Sequence, residues 1–180
     1  MSRAFTVFVL LLLFSCNAQD VATIEKADKR EPKNETEENI YRSGDSMLAA
    51  FRRKDWGSFV KYNHPNMTSR MGGAEAFASF ITMQMKQIPD TVVKSITIGS
   101  LLQVVTTDKD VQCVVEQHMK MEQQGTTLDK TTYLIGESLD NGKSWTFFDA
   151  SAKTGLLPKD IKPDLSDDLK IPAVRNEINQ

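Results

Sequence analysis

The chain has 180 residues, 40% hydrophobic and 26% charged, with a formal net charge of −2 at pH 7. This is an ordinary globular composition, and it excludes collagenous, wholly disordered and disulfide-scaffold classes; the length points to one domain. The near-neutral charge offers no basic field for nucleic acid. Two cysteines cannot build a disulfide framework or a zinc cluster, and two distant histidines give no metal-ligand spacing.

Residues 1–15 read as a signal peptide. One positive charge at Arg3 precedes a nearly unbroken apolar run from Ala4 to Phe14. The run is too short to cross a hydrocarbon core, which takes roughly 20 residues. It also lacks the polar stripe of a helix packed on a core. Leu13-Phe14-Ser15-Cys16 resembles a bacterial lipobox. That resemblance implies a diacylglyceryl group on Cys16, which becomes the mature N-terminus and holds the protein on a membrane. Each buried CH₂ of such a chain contributes about 0.8 kcal/mol. The alternative is ordinary cleavage after Ala18, with Cys16 and Ala18 at −3 and −1, which releases a soluble product. Residues 16–38 are rich in Glu, Lys and Asp and poor in large apolar groups. They cannot bury enough surface to offset ordering entropy, so they read as a charged tether.

A folded domain is expected over 39–152. Ile40, Met47, Leu48 and Phe51 recur at helical spacing, and Arg52, Arg53 and Lys54 follow in the last turn. Asp55 can cap a short second helix bearing Trp56, Phe59, Val60 and Tyr62. Asn63-His64-Pro65-Asn66 breaks it. Gly72-Gly73 precedes a third helix whose stripe is Phe77, Ile81, Gln84 and Ile88, ended by Pro89. Met83, Met85, Met119 and Met121 read as core fillers.

The period then changes to two. Val92–Val105 fits a long strand bent at Gly99, followed by a turn at 107–110. In 112–121, Cys113, Val115, Met119 and Met121 share one face with Gln117, while Gln112, Glu116, His118 and Lys120 face outward. Strands at 131–137 and 145–149 flank the hairpin turn Asp140-Asn141-Gly142-Lys143. The fold class is therefore α+β, with N-terminal helices packed on a curved antiparallel sheet. Residues 153–180 form a proline-containing tail, partly laid on the domain, with one turn near 163–169.

Phe51-Arg52-Arg53-Lys54-Asp55-Trp56-Gly57-Ser58-Phe59 resembles the helix-break-helix of the nuclear transport factor 2-like (cystatin-like) superfamily, and Trp145-Thr146-Phe147-Phe148-Asp149 resembles its last strand. The closing hairpin and the tail from Leu157 to Pro172 are similar to those of small lipoproteins of Bacteroidota-type bacteria. The resemblance spans roughly residues 39–172. It implies a cone between helices and sheet, and a superfamily that holds polyketide cyclases, ketosteroid isomerases, dehydratases and non-catalytic binding modules. Fold does not choose among them.

Residues 138–145 resemble an Asp-box, here a hairpin device in which Asp140 accepts turn N–H groups and Trp145 packs beneath. It occurs once, so it does not signal a glycosidase propeller. The resemblance places a desolvated acid or base in the cone, where Asp149 is the candidate catalytic carboxylate and Tyr62, Gln117 and Tyr133 are candidate pocket residues. His118 and Glu116 fall on the outer face; His64 is expected at a turn, capping or in solvent; Cys113 is a buried structural thiol. No residue pattern calls for a cofactor or a metal. The leading expectation is a lipid-anchored envelope protein with a non-catalytic ligand-binding or interaction domain. The alternatives are a small-molecule isomerase, dehydratase or cyclase using Asp149, and a homodimeric envelope assembly factor pairing through the outer sheet face.

Overall fold

A computed structural model describes residues 30–150 and 156–179. The signal peptide, Cys16 and most of the tether lie outside the described residues. Helix α1 (Glu35–Arg52) starts where Asn34 accepts from the Glu37 N–H, and Glu35, Glu37 and Glu38 place negative charge at the positive end of the helix dipole. It therefore begins inside the stretch read as tether. Helix α2 (Trp56–Lys61) is capped by Asp55, as the sequence suggests, with 3.0 Å between Ser58 N and Oδ1. The expected break at residues 63–66 instead opens a short helix, α3 (Pro65–Arg70). Pro65 suits the first helical position because the N–H it lacks would go unpaired there. Helix α4 (Ala74–Met85) buries Phe77 alone; Gln84 is exposed, and Ile88 lies past the helix end.

Four antiparallel strands run in the order β1 (Val93–Thr106), β2 (Val111–Gln123), β3 (Thr126–Ser138) and β4 (Thr146–Asp149). After them come a one-turn helix, α5 (Pro158–Ile161), and a strand absent from the sequence reading, β5 (Arg175–Asn179). β5 pairs with the first half of β3 and β4 with the second, so the two succeed one another along one edge. β1 shifts register between Ile98 and Leu101, around the Gly99 bend.

The sheet has apolar clusters on both faces. On the helix side, Ile40, Met47 and Leu48 of α1 meet Ile96, Ile98, Cys113, Val115, Leu134 and Phe147. On the outer side, Val114, Tyr133, Ile135 and Phe148 meet Ile161, Leu165 and Leu169 of the tail. The outer face of β2 is therefore not a solvated surface: Gln112 is fully buried and Glu116 is 9% exposed. Strand alternation predicted the side correctly but not the cover. Met83 is no core filler either, being 56% exposed. No helix among the described residues is long and apolar enough to cross a membrane.

Candidate functional site

The outer face is closed by the tail at one end and open at the other. Strand register builds the open end as two polar rows: Thr97, His118, Thr131 and Arg175 lie side by side, and next to them Ser95, Lys120, Asp129 and Glu177. All eight line a cleft of about 510 Å³, with Gly99, Glu116 and Arg30 among its other walls. The β1 irregularity matters here. A Cβ at position 99 would stand 2.1 Å from His118 Nε2, so glycine is what lets the imidazole lie across β1. Bulges of this kind re-aim side chains at the margins of sheets.

His118 is held at both nitrogens, with Nδ1 3.1 Å from Thr131 Oγ1 and Nε2 3.5 Å from Glu116 Oε2. Arg175 of β5 donates to Glu116 Oε1 at 2.7 Å. Glu116 sits deep, whereas the side chains of His118 (41% exposed) and Arg175 (59% exposed) open to water. The cleft thus offers fixed donors and acceptors of both signs, a fit for a polar, charged small molecule.

A second polar cluster lies under the tail. The Lys162 ammonium, on a side chain 2% exposed, is 2.6 Å from Asp110 Oδ2, 2.9 Å from Asp164 Oδ1, and in contact with Glu137 Oε1. Asp110 comes from the β1–β2 turn, where Thr107 and Gln112 also bond to it. His64, the cap of α3, has Nε2 2.9 Å from Glu137 Oε2, within ion-pair range but without a well-formed hydrogen bond. The carboxylate oxygens of Asp110, Glu137 and Asp164 lie within 4.8 Å of one another, spacing that could hold a metal ion. The ammonium already takes the cation's place among them, so the cluster reads as an internal clasp.

The charges follow from the contacts. Burial opposes ionisation of Asp110, but the bonds from Lys162, Thr107 and Gln112 overcome it and hold the carboxyl below its ordinary range. His64, against the opposing effect of burial, and then Lys162 do the same for Glu137, and Lys162 does it for Asp164. Lys162 is itself disfavoured by burial, yet the three carboxylates push its affinity for the proton up.

The expected site residues do not assemble into one pocket. Tyr62 and Gln117 lie on the helix side, where Gln117 Oε1 accepts from Thr132 Oγ1 at 3.2 Å. Tyr133 is on the opposite face with Phe148. Adjacent strand positions alternate, and 133 has the wrong parity. Asp149 is half-buried at the end of β4, opposite Leu134. His64 is buried, not solvated. Cys113 is fully buried, and that burial pushes its thiol pKa up, away from reactivity.

The Asp140 turn forms as expected. Its carboxylate accepts from Lys143 N, Ser144 N, Ser144 Oγ (2.6 Å) and Ser138 Oγ (2.8 Å), and these bonds depress its pKa, Ser144 contributing most. The sequence reading passed over Arg175 and Lys162. The four-residue spacing of Ile161, Leu165 and Leu169 marks a buried tail face, and Lys162 stands next to it. Nothing local marks Arg175. No family model, curated protein or solved structure matches the chain.

Proposed function

We propose that this is an exported protein, anchored through a lipid on Cys16, whose single nuclear transport factor 2-like domain binds a small polar ligand without transforming it. Helices that precede an antiparallel sheet and pack on one of its faces support the family reading. The observation that carries the binding reading is the contrast between the faces. The core between α1 and the sheet is a packed apolar cluster, and the outer face carries a polar cleft with Glu116, His118 and Arg175 among its walls. The cyclase-like alternative needs a desolvated base in a cavity, and Asp149 lines none of the three described pockets. Pairing through the outer face would have to use the part the tail leaves open, around Glu116 and His118.

Two experiments test the reading. Radioactive palmitate should label the chain, and Cys16→Ala should abolish the label; an unlabelled parent overturns the anchor. For the cleft, thermal unfolding is followed with millimolar free amino acids, dipeptides, sugar acids and sugar phosphates. At least one class should raise Tm in the parent and fail to do so in Arg175→Ala and His118→Ala. A panel without effect, or a shift that survives both substitutions, overturns the site.

A further inference from the structure

The charges around the outer-face cleft do not all answer one another. Two of its cations are engaged: Arg175 by Glu116, and Arg30 by Asp45, whose carboxylate it meets at 2.9 and 3.0 Å. Lys130 borders the cleft but has the strand parity of Met119, which packs on the helix side. Lys120 is different. It lines the cleft, it is half-buried, and it enters no ion pair among the described residues. Lys162, deeper still, is met by three carboxylates. A partly buried ammonium keeps part of its desolvation cost unless an anion or water meets it.

A second source of donors stands close by. The Arg175 guanidinium uses one terminal nitrogen on Glu116. A guanidinium carries five N–H donors in a rigid fork, so donors remain for another oxyanion.

The opposite sign sits farther along the same row. Ser95, Lys120, Asp129 and Glu177 lie side by side across β1, β2, β3 and β5. Glu177 lines the cleft, is exposed, and enters no ion pair among the described residues. Neighbouring strands lie about 4.8 Å apart, so the backbones of Lys120 and Glu177 stand roughly 10 Å apart, and long side chains close much of that gap. With the two engaged pairs set aside, the outer face offers Lys120 against Asp129 and Glu177. That is no field for a polyanion; it is a pair of poles. The volume of about 510 Å³ falls within the range of small-molecule sites, about 300–1,000 Å³.

We propose that the ligand of this cleft is a zwitterion, an amino acid or short peptide with both ends free. Its carboxylate meets Lys120 and the remaining N–H groups of Arg175, and its ammonium meets Glu177 beside Asp129. This deepens the binding reading of the cleft and rests on it. Poles placed in this way reject as well as attract: a sugar phosphate leaves Glu177 facing an anion, and a diamine leaves Lys120 facing a cation.

The test follows thermal unfolding of the chain as its host processes it. The ligands are the common amino acids, their homodipeptides, gluconate, glucose 6-phosphate and putrescine. At least one zwitterion should raise Tm more than any of the last three. The Kd of the best zwitterion is then measured by calorimetry beside those of its N-acetyl and C-terminal amide forms. Each cap should weaken binding at least about tenfold, the range for losing a charge-assisted hydrogen bond. Glu177→Gln should cut the penalty for acetylation at least threefold and spare that for amidation; Lys120→Met should do the reverse. The capped ligands read the parent alone, so the assignment is decided even where a substitution unfolds the chain. A sugar acid or phosphate that raises Tm as much as any zwitterion overturns the zwitterion and leaves the binding site standing. A panel without any shift overturns both. Caps that cost nothing, or penalties that neither substitution changes in a folded chain, overturn the placing of the two ends.

Discussion

On the helix side of β2, Cys113 and Val115 meet side chains of α1; on the other side, their neighbours Gln112 and Val114 meet chain from the far C-terminus. The two covers use different physics. The helix-side core is dry and apolar, and its cohesion is non-directional, scaling with area removed from water. The tail is held by three apolar anchors, Ile161, Leu165 and Leu169, and by directed bonds that demand one register. The Gln112 amide donates to Asp164 O and accepts from Ser166 N, Gln103 does the same for Asp168 and Lys170, and Lys162 enters a hole of carboxylates. The apolar face supplies bulk stability. The polar clasp dictates where a segment without extensive secondary structure must lie.

The sharpest way to break this comparison is at the two centres. Phe147→Ala should cost about 3–5 kcal/mol in urea unfolding, the range for a large aromatic removed from a core. Its ring is 1% exposed. Lys162→Met should cost about 3 kcal/mol, because it leaves the carboxylates of Asp110 and Glu137 buried without their cation. Adding Asp110→Asn and Glu137→Gln to it should recover most of that loss. A core residue has no such rescue, so failure of the triple variant to recover would put both faces in one class.

Acid sharpens the difference. Asp110, Glu137 and Asp164 sit below their ordinary values of 3.8, 4.5 and 3.8. Their contribution is present above about pH 5 and is lost as pH falls below those ordinary values through the depressed ones. Lys162 is shifted upward from 10.5, so its contribution is complete below that pH and disappears only as pH rises through the higher folded value. Hydrogen exchange at pH 3 should therefore loosen Ser166 and Leu169 before Cys113 and Val115, after correction for intrinsic rates; simultaneous loosening would refute a separate ionic clasp. The smallest effect belongs to Asp140→Ala, about 0.5–2 kcal/mol, since its bonds are local and its carboxylate is solvated.

The sequence made local devices legible and distant ones illegible. Asp55 and Asp140 could be placed because their partners lie within four residues. Parity put Glu116 and His118 on the outer face because alternation is a property of the strand itself. Parity alone did not show that this face is covered: Val114, between Gln112 and Glu116, is buried under the tail. The group that makes burial of Gln112 tolerable is 54 residues away. Arg175, which completes the cleft, comes from a strand whose sequence, Arg-Asn-Glu-Ile-Asn, has no apolar alternation. Tyr62, Gln117 and Tyr133 were each plausible singly; only register tells which strand neighbours share a side.

The turn at residues 140–143 also seats the start of the fold. Asn39 of α1 donates to Gly142 O across 103 residues, and a Cβ on Gly142 would lie 2.8 Å from Thr36. With φ near +84°, that position suits glycine on backbone grounds as well. During synthesis, then, the first helix is made early but has no final berth until the last hairpin emerges. Its N-terminal turn must wait for nearly the whole domain, which makes closure of that distant contact a late step in folding.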